Sequence, residues 1–241
     1  MNVAIILAGG VGNRMGTTTP KQYLKVRNKP IIAYTLEKFQ YAANIDYIEV
    51  VCATNYVDYV KELGVKYTID KLKKITIGGS FCQDSIRNGI YALKDELTDN
   101  DIVMLHMSVS PMISEATINK AIDVCKEKGN AFAAQPQLFC MCKKKNDEWS
   151  DENAFKEDFI SLNMPWTITF GEILDMYKDA EAKGIGMNAK SYLPSLMFDY
   201  GKKVFLFPDN IDNRLKITTP EDLDLFEAML MIKKRNQNKG V

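Results

Sequence analysis

VAIILAGGVGNRMGTTTPKQYL, residues 3–24, joins a short apolar run to a glycine-rich loop and a proline–lysine pair. Val3–Leu7 is unbroken and rich in β-branched residues. That pattern predicts a strand buried on both faces, as in a parallel sheet. Ala8-Gly9-Gly10 closes the strand, and Gly9, Gly10, Gly12 and Gly16 follow one another within eight positions. Glycine lets a backbone approach a ligand closely, and successive N–H groups can then point at phosphate oxygens. Arg14 and Lys21 flank the loop with charge that suits a triphosphate. The stretch is not a Walker loop, since G-K-[ST] is missing, nor is it G-x-G-x-x-G. A dinucleotide site would want an acid after the second strand, where Ala53-Thr54-Asn55 stands.

Outward from this loop, strand and helix patterns alternate. Strands are predicted over Tyr47–Ala53, Lys74–Ile77, Asp101–His106, Ala131–Pro136 and Val204–Phe207. Helices are predicted over Pro30–Phe39, Val57–Leu63, Ser85–Leu93, Glu115–Lys126, from near Phe170 to Lys183, and Thr218–Lys234. The last opens on Thr219-Pro220, a cap followed by proline at the first helical position. Such alternation predicts a doubly wound, mostly parallel α/β sheet. Residues 140–160 break the pattern: they are polar, charged and without a period, which fits either a solvated loop or an arm that meets a second subunit.

The 31 basic and 31 acidic side chains cancel. No long-range field is left to hold a polyanion, so nucleic acid is not expected as partner. Cys52, Cys82, Cys125, Cys140 and Cys142 are odd in number and lack C-x-x-C spacing. They read as reduced thiols of a cytoplasmic protein. Neither a signal peptide nor an apolar run of about 20 residues is visible, so no membrane span is expected.

The unit G-G-x-G-x-R-M-x4-P-K resembles the signature of nucleotide-sugar and polyol-phosphate nucleotidyltransferases. Its continuation PKQYL narrows the resemblance to the cytidylyltransferases for methylerythritol phosphate and ribitol phosphate. Gly78-Gly79 through Asp84-Ser85-Ile86-Arg87-Asn88-Gly89, MLHMSVSP (residues 104–111) and LKITTPEDL (residues 215–223) resemble later family segments in the same order. The resemblance implies a Rossmann-like nucleotide-diphospho-sugar transferase fold in one domain over 1–241. It also implies a dimerisation arm at about 138–162 and a homodimer. The implied reaction carries CMP from CTP to a polyol or other alcohol phosphate, with Mg²⁺ present and pyrophosphate released.

By that resemblance Arg14, Lys21 and Lys216 are the catalytic cations. Leu7, Ala8, Gly9, Gly10, Gly12 and Asn13 cradle the nucleotide; Gly79, Asp84, Ser85 and His106 complete its site. Ser85 also reads as a helix N-cap, and Lys216 as a solvated strand-end charge. His106, at a strand's carboxyl edge, reads equally as a packing residue. Ser108, Ser110, Trp166 and Thr167 stand where the family binds its acceptor; Trp166 also reads as core.

Departures concentrate at that acceptor end. Met107 replaces an aspartate that holds magnesium in the family, and a thioether is a poor ligand for that hard cation. Ser110 replaces an arginine, Trp166-Thr167-Ile168 a T-P-Q segment, and Met187-Asn188-Ala189 a T-D segment. Asp212 is the remaining candidate metal ligand, with most of the Mg²⁺ burden on the triphosphate. Three readings stay open: a cytidylyltransferase with an unusual alcohol-phosphate acceptor, a homologue that binds nucleotide without transfer, and a transferase for another nucleoside triphosphate.

Overall fold

The computed structural model describes residues 1–10, 16, 18–186, 192–209 and 211–238. In chain order the elements begin with β1 (Asn2–Ala8), the small hairpin β2 (Lys25–Val26) and β3 (Lys29–Pro30), α1 (Ile31–Tyr41) and β4 (Tyr47–Cys52). Next come α2 (Val57–Lys66), β5 (Leu72–Ile77), α3 (Cys82–Ala92), β6 (Ile102–Met107), α4 (Glu115–Lys128) and β7 (Asn130–Pro136). A second hairpin, β8 (Met141–Cys142) with β9 (Asn153–Ala154), precedes β10 (Ile160–Thr169), α5 (Phe170–Lys183), α6 (Leu193–Asp199), β11 (Leu206–Pro208) and α7 (Pro220–Asn238).

The central sheet has seven strands in the order β11-β7-β10-β6-β1-β4-β5. β1 pairs in parallel with both β4 and β6, β4 with β5, and β11 with β7. β10 runs antiparallel between β6 and β7. The chain moves outward from β1 through β4 to β5, then returns to the other side of β1 with β6. That reversal is a topological switch point, where open α/β sheets bind ligands at the carboxyl ends of their strands.

Alternation along the strands divides the core into two layers. Ala4, Ile6, Val50, Cys52 and Met104 face Ile32, Leu36 and Phe39 of α1 and Ile118, Ala121 and Ile122 of α4. Val3, Ile5, Val51, Val103 and Leu105 face Ile86 and Ile90 of α3 and Ile173 and Tyr177 of α5. A third cluster, with Val109, Met112, Leu215, Ile217 and Phe226, fastens the C-terminal segment beneath the loop after β6. α4 starts at Ser114, whose Oγ accepts the Thr117 N–H at 3.1 Å, and stops at Gly129 in the left-handed region at φ 89°.

The parallel core and its helices follow the expected order. β10 and α6 are additions to it. The run ISLNMPWTIT hides a strand because Pro165 cannot donate to a ladder; the register shifts between Asn163 and Trp166 to accommodate it. Residues 140–160 are not featureless either, since β8 and β9 pair through Met141↔Ala154 and Cys142↔Asn153 outside the main sheet. Ser85 is not an N-cap: α3 begins three residues earlier, after Phe81, and Asp84 Oδ2 accepts the Phe81 N–H at 3.2 Å.

Candidate active site

β1 ends at Ala8, and the loop carries on through Gly9 and Gly10 beside the switch point. Ser85, inside the first turn of α3, is the hub opposite. Its Oγ accepts the Gly79 N–H at 3.1 Å and would lie 3.4 Å from a Cβ on Gly9 and 3.0 Å from one on Gly78. A Cβ on Gly79 would come 2.1 Å from that of Asp84, so this approach of loop to helix admits glycine alone. Gly9, Gly79, Asp84 and Ser85 are thus brought together. Gly12, Asn13 and Arg14 lie outside the described residues, as do Met187, Asn188 and Ala189.

The sequence PKQYL folds into a short 3-10 turn over Lys21–Tyr23, entered through Pro20. Gln22 and Tyr23 are buried, which leaves half-buried Lys21 as the charged residue of the turn. Leu7 packs in the core, and its carbonyl accepts the Ser108 N–H at 3.0 Å. Its side chain therefore does not serve the nucleotide.

Leu7 and Met107 are paired in the β1–β6 register. Neighbouring strands lie about 4.8 Å apart, so the end of β6 is one strand spacing from the glycine loop. Here a cavity of about 310 Å³ opens, lined by Met107, Ser110, Leu162, Asn163, Met164, Trp166, Tyr192, Asn213, Arg214 and Lys216. The two cations come from one stretch. Asn213, Leu215 and Ile217 are buried while Arg214 and Lys216 are exposed, an alternation that turns both charges to the same side. The Ile217 N–H donates to Val109 O at 2.9 Å and ties this stretch to the loop after β6. Lys216 also acts electrostatically on the Cys82 thiol at the start of α3, lowering a pKa that burial raises. It thus lines the cavity within electrostatic reach of the helix that carries Ser85.

Among the described residues no carboxylate lines this cavity. Asn213 Nδ2 donates to Met164 O at 2.7 Å and to Asp209 Oδ1 at 3.0 Å, which fixes the amide's orientation. Its Oδ1 and the Trp166 indole Nε1 have no hydrogen-bond partner among the described residues, although both are buried. Such orphaned atoms at a cavity wall are what a bound polar ligand can satisfy.

Several expected site residues stand elsewhere. His106 is fully buried, so it does not touch a nucleotide; its ring lies 5.3 Å from that of Phe39, and its Nε2–H donates to Ser110 O at 2.9 Å. Burial lowers its pKa to about 4, against the opposing pull of the Ser110 carbonyl, so the ring is neutral near pH 7. It braces the loop after β6. Thr167 is also fully buried, on the face of β10 opposite its cavity-lining neighbour Trp166. Ser108 is buried, with its carbonyl accepting from Thr35 Oγ1 at 2.8 Å, and does not line the cavity. Asp212 is ion-paired with Lys233 at 3.0 Å and is likewise outside the cavity lining.

Among the described residues no group of three His, Cys, Asp or Glu side chains could hold a metal ion. With Met107 at the cavity and Asp212 on Lys233, these residues do not form a cage for Mg²⁺. All five cysteines are free of disulfides. No helix among the described residues is long and apolar enough to cross a membrane.

Residues 2–232 match the family described as 2-C-methyl-D-erythritol 4-phosphate cytidylyltransferase. The chain belongs to that family. A ribitol-5-phosphate cytidylyltransferase of Lacticaseibacillus paracasei is 36% identical over 238 residues, covering 95% of this chain and 98% of the relative. A 2-C-methyl-D-erythritol 4-phosphate cytidylyltransferase of Clostridium acetobutylicum is 32% identical, covering 95% and 97%. The crystal structure of 4-diphosphocytidyl-2C-methyl-D-erythritol synthase from Anaerococcus prevotii superposes with a TM-score of 0.78 at 22% identity, covering 95% and 96%, and shows the same fold. This cytidylyltransferase family member therefore carries the family architecture over nearly its full length.

Arg214 is the functional candidate that sequence reading missed. The signal was present in the alternation of buried Leu215 and Ile217 with charged Arg214 and Lys216.

Proposed function

We propose that the chain transfers CMP from CTP to a phosphorylated polyol, releasing pyrophosphate and forming a CDP-activated alcohol. The observation that carries this reading is the placing of Arg214 and Lys216 on a cavity one strand spacing from the glycine loop. Two anions can then meet at the switch point, each with its own cations. An oxygen of the acceptor's phosphate attacks the α-phosphorus of CTP, and the bond to the α–β bridging oxygen breaks. The attacking phosphate is already an anion, so no protein base is required, in keeping with a buried, neutral His106. The protein's work is positioning and charge stabilisation. Lys21 and Arg14 serve the triphosphate; Lys216 and Arg214 hold the acceptor's phosphate. CTP enters as its magnesium complex, with the metal part of the substrate.

Ribitol 5-phosphate is the first acceptor to test, because relatives bearing that name share about a third of the sequence. The cavity wall of Met107, Ser110 and Trp166 is the reason to extend the panel to other alcohol phosphates. The assay is pyrophosphate release from CTP, ATP or UTP with each acceptor. Release that needs both CTP and a polyol phosphate supports the reading. CTP binding with no release across the panel supports a homologue that binds without transfer, and release from ATP or UTP alone supports the third account.

A homodimer through the hairpin region belongs to the same proposal. Leu138, Phe139, Trp149, Phe155 and Phe159 are all exposed there, an apolar surface that a second subunit would cover. Phe139→Asp with Phe159→Asp is expected to yield monomers in sedimentation. We place the enzyme in the cytoplasm, where nucleoside triphosphates and reduced thiols coexist.

A further inference from the structure

Gln22 sits beside Lys21 with 3% of its surface exposed. Tyr23, next in the turn, stacks on Tyr56 with ring centroids 4.1 Å apart and meets Tyr59 edge-on at 5.5 Å. The turn is therefore anchored to α2 and the segment before it. From this fixed position the Gln22 amide reaches under the glycine loop. Its Nε2 donates to Ala8 O at 2.7 Å and to Gly10 O at 2.9 Å. A carboxamide has two N–H donors, and both are spent on the carbonyls that flank Gly9.

The consequence lies in the geometry of the peptide unit. In a trans peptide the C=O and N–H point in opposite directions. Holding the Ala8 carbonyl toward Gln22 turns the Gly9 N–H away from it. Packing among the described residues does not fix the next step, because there a Cβ on Gly10 would meet nothing within 4 Å. Glycine backbones rotate freely, and a flipped peptide plane would offer a phosphate a carbonyl oxygen in place of an amide hydrogen.

We propose that Gln22 is the positioning residue at the start of the triphosphate loop: by holding the Ala8 and Gly10 carbonyls it fixes which way the backbone on either side of Gly9 faces the nucleotide. This rests on reading the loop as the triphosphate cradle. Lys21 supplies charge, and its neighbour Gln22 supplies orientation. One short turn thus carries both functions.

Two variants test it, with CTP binding followed by calorimetry in the presence of Mg²⁺ and acceptor KM measured separately. Gln22→Met keeps the length and removes the donors. Its Kd for CTP is expected to rise about tenfold, the loss of roughly one to two hydrogen bonds, with acceptor KM changed less than about twofold. Gln22→Glu sets carboxylate oxygens against two carbonyl oxygens. Burial and that repulsion raise its pKa, and the protonated form regains one donor. Its CTP affinity relative to the parent protein is expected to recover as pH falls from 8 to 5.5, whereas the Gln22→Met ratio stays flat. Should Gln22→Met not fold, the pH response of Gln22→Glu decides. A Gln22→Met Kd within twofold of the parent, an acceptor KM that rises in step with the CTP Kd, or a flat Gln22→Glu ratio overturns the proposal. If the parent protein itself binds no CTP, the cradle reading fails and takes this one with it.

Discussion

The two sides of the cleft, as proposed for nucleotide and acceptor, are built from different materials. The nucleotide side is main chain held at close quarters: Gly9, Gly78 and Gly79 crowd around the Ser85 hydroxyl, and the Asp84 Cβ leaves no room for a side chain on Gly79. The acceptor side is side chain: Met107, Trp166, Tyr192, Arg214 and Lys216 stand around an open volume of about 310 Å³. Main-chain recognition depends on sterics that tolerate glycine alone, so it resists substitution. A side-chain wall can change residue by residue and leave the fold intact.

The largest expected effect falls on the nucleotide side. Lys21→Ala removes a cation from the charge built up in transfer, and kcat for pyrophosphate release should drop about 10²- to 10³-fold, as when one preorganised donor is lost elsewhere. A drop below tenfold would break the comparison. Next comes Lys216→Ala. Acceptor KM should rise roughly 10- to 100-fold with CTP Kd nearly unchanged, the signature of a charged contact to one substrate; Arg214→Ala should act in the same direction. Equal damage to CTP binding would mean that the two sides are not separate.

How much of this was legible in the sequence follows from the same contrast. The apolar run before the glycines and the alternating strands and helices each follow from a local rule, and the structure obeys them. β10 escaped because Pro165 and Asn163 interrupt its pattern and the strand tolerates them through a register shift. Trp166 and Thr167 are adjacent, so on a strand they face opposite ways. Sequence could not tell which of the two would meet the cavity; Trp166 lines it, and Thr167 is fully buried on the other face. His106 and Ser108 lie at a strand's carboxyl end, where ligands bind, yet both are turned inward. The pairing of Gln22 with Ala8 and Gly10 spans 12 to 14 residues and leaves no periodic trace.

Trp166→Phe keeps a ring at the wall but deletes the unpartnered indole N–H. Acceptor KM should rise about three- to tenfold if a hydroxyl of the acceptor pairs with it; no change would make Trp166 a packing residue alone. The smallest effect on activity belongs to Glu49, fully buried in β4 and hydrogen-bonded to Thr76 Oγ1. Burial raises its pKa from 4.5 to about 8. A carboxyl raised in the folded state must take up a proton on folding, so its contribution is harmless below pH 4.5. It becomes steadily destabilising as pH climbs toward 8. Glu49→Gln should therefore raise the melting temperature at pH 8, by a stabilisation of order 2 kcal/mol. It should do little at pH 4 and leave both KM values unchanged. A variant that melts lower at pH 8 would contradict the sign.

Pyrophosphate release from CTP, measured with and without ribitol 5-phosphate, tests most directly the claim that two phosphates meet between β1 and β6. The account predicts release that requires both substrates and yields one CDP-alcohol per pyrophosphate. CTP bound by the loop, with no release for ribitol 5-phosphate or any other alcohol phosphate, would contradict it.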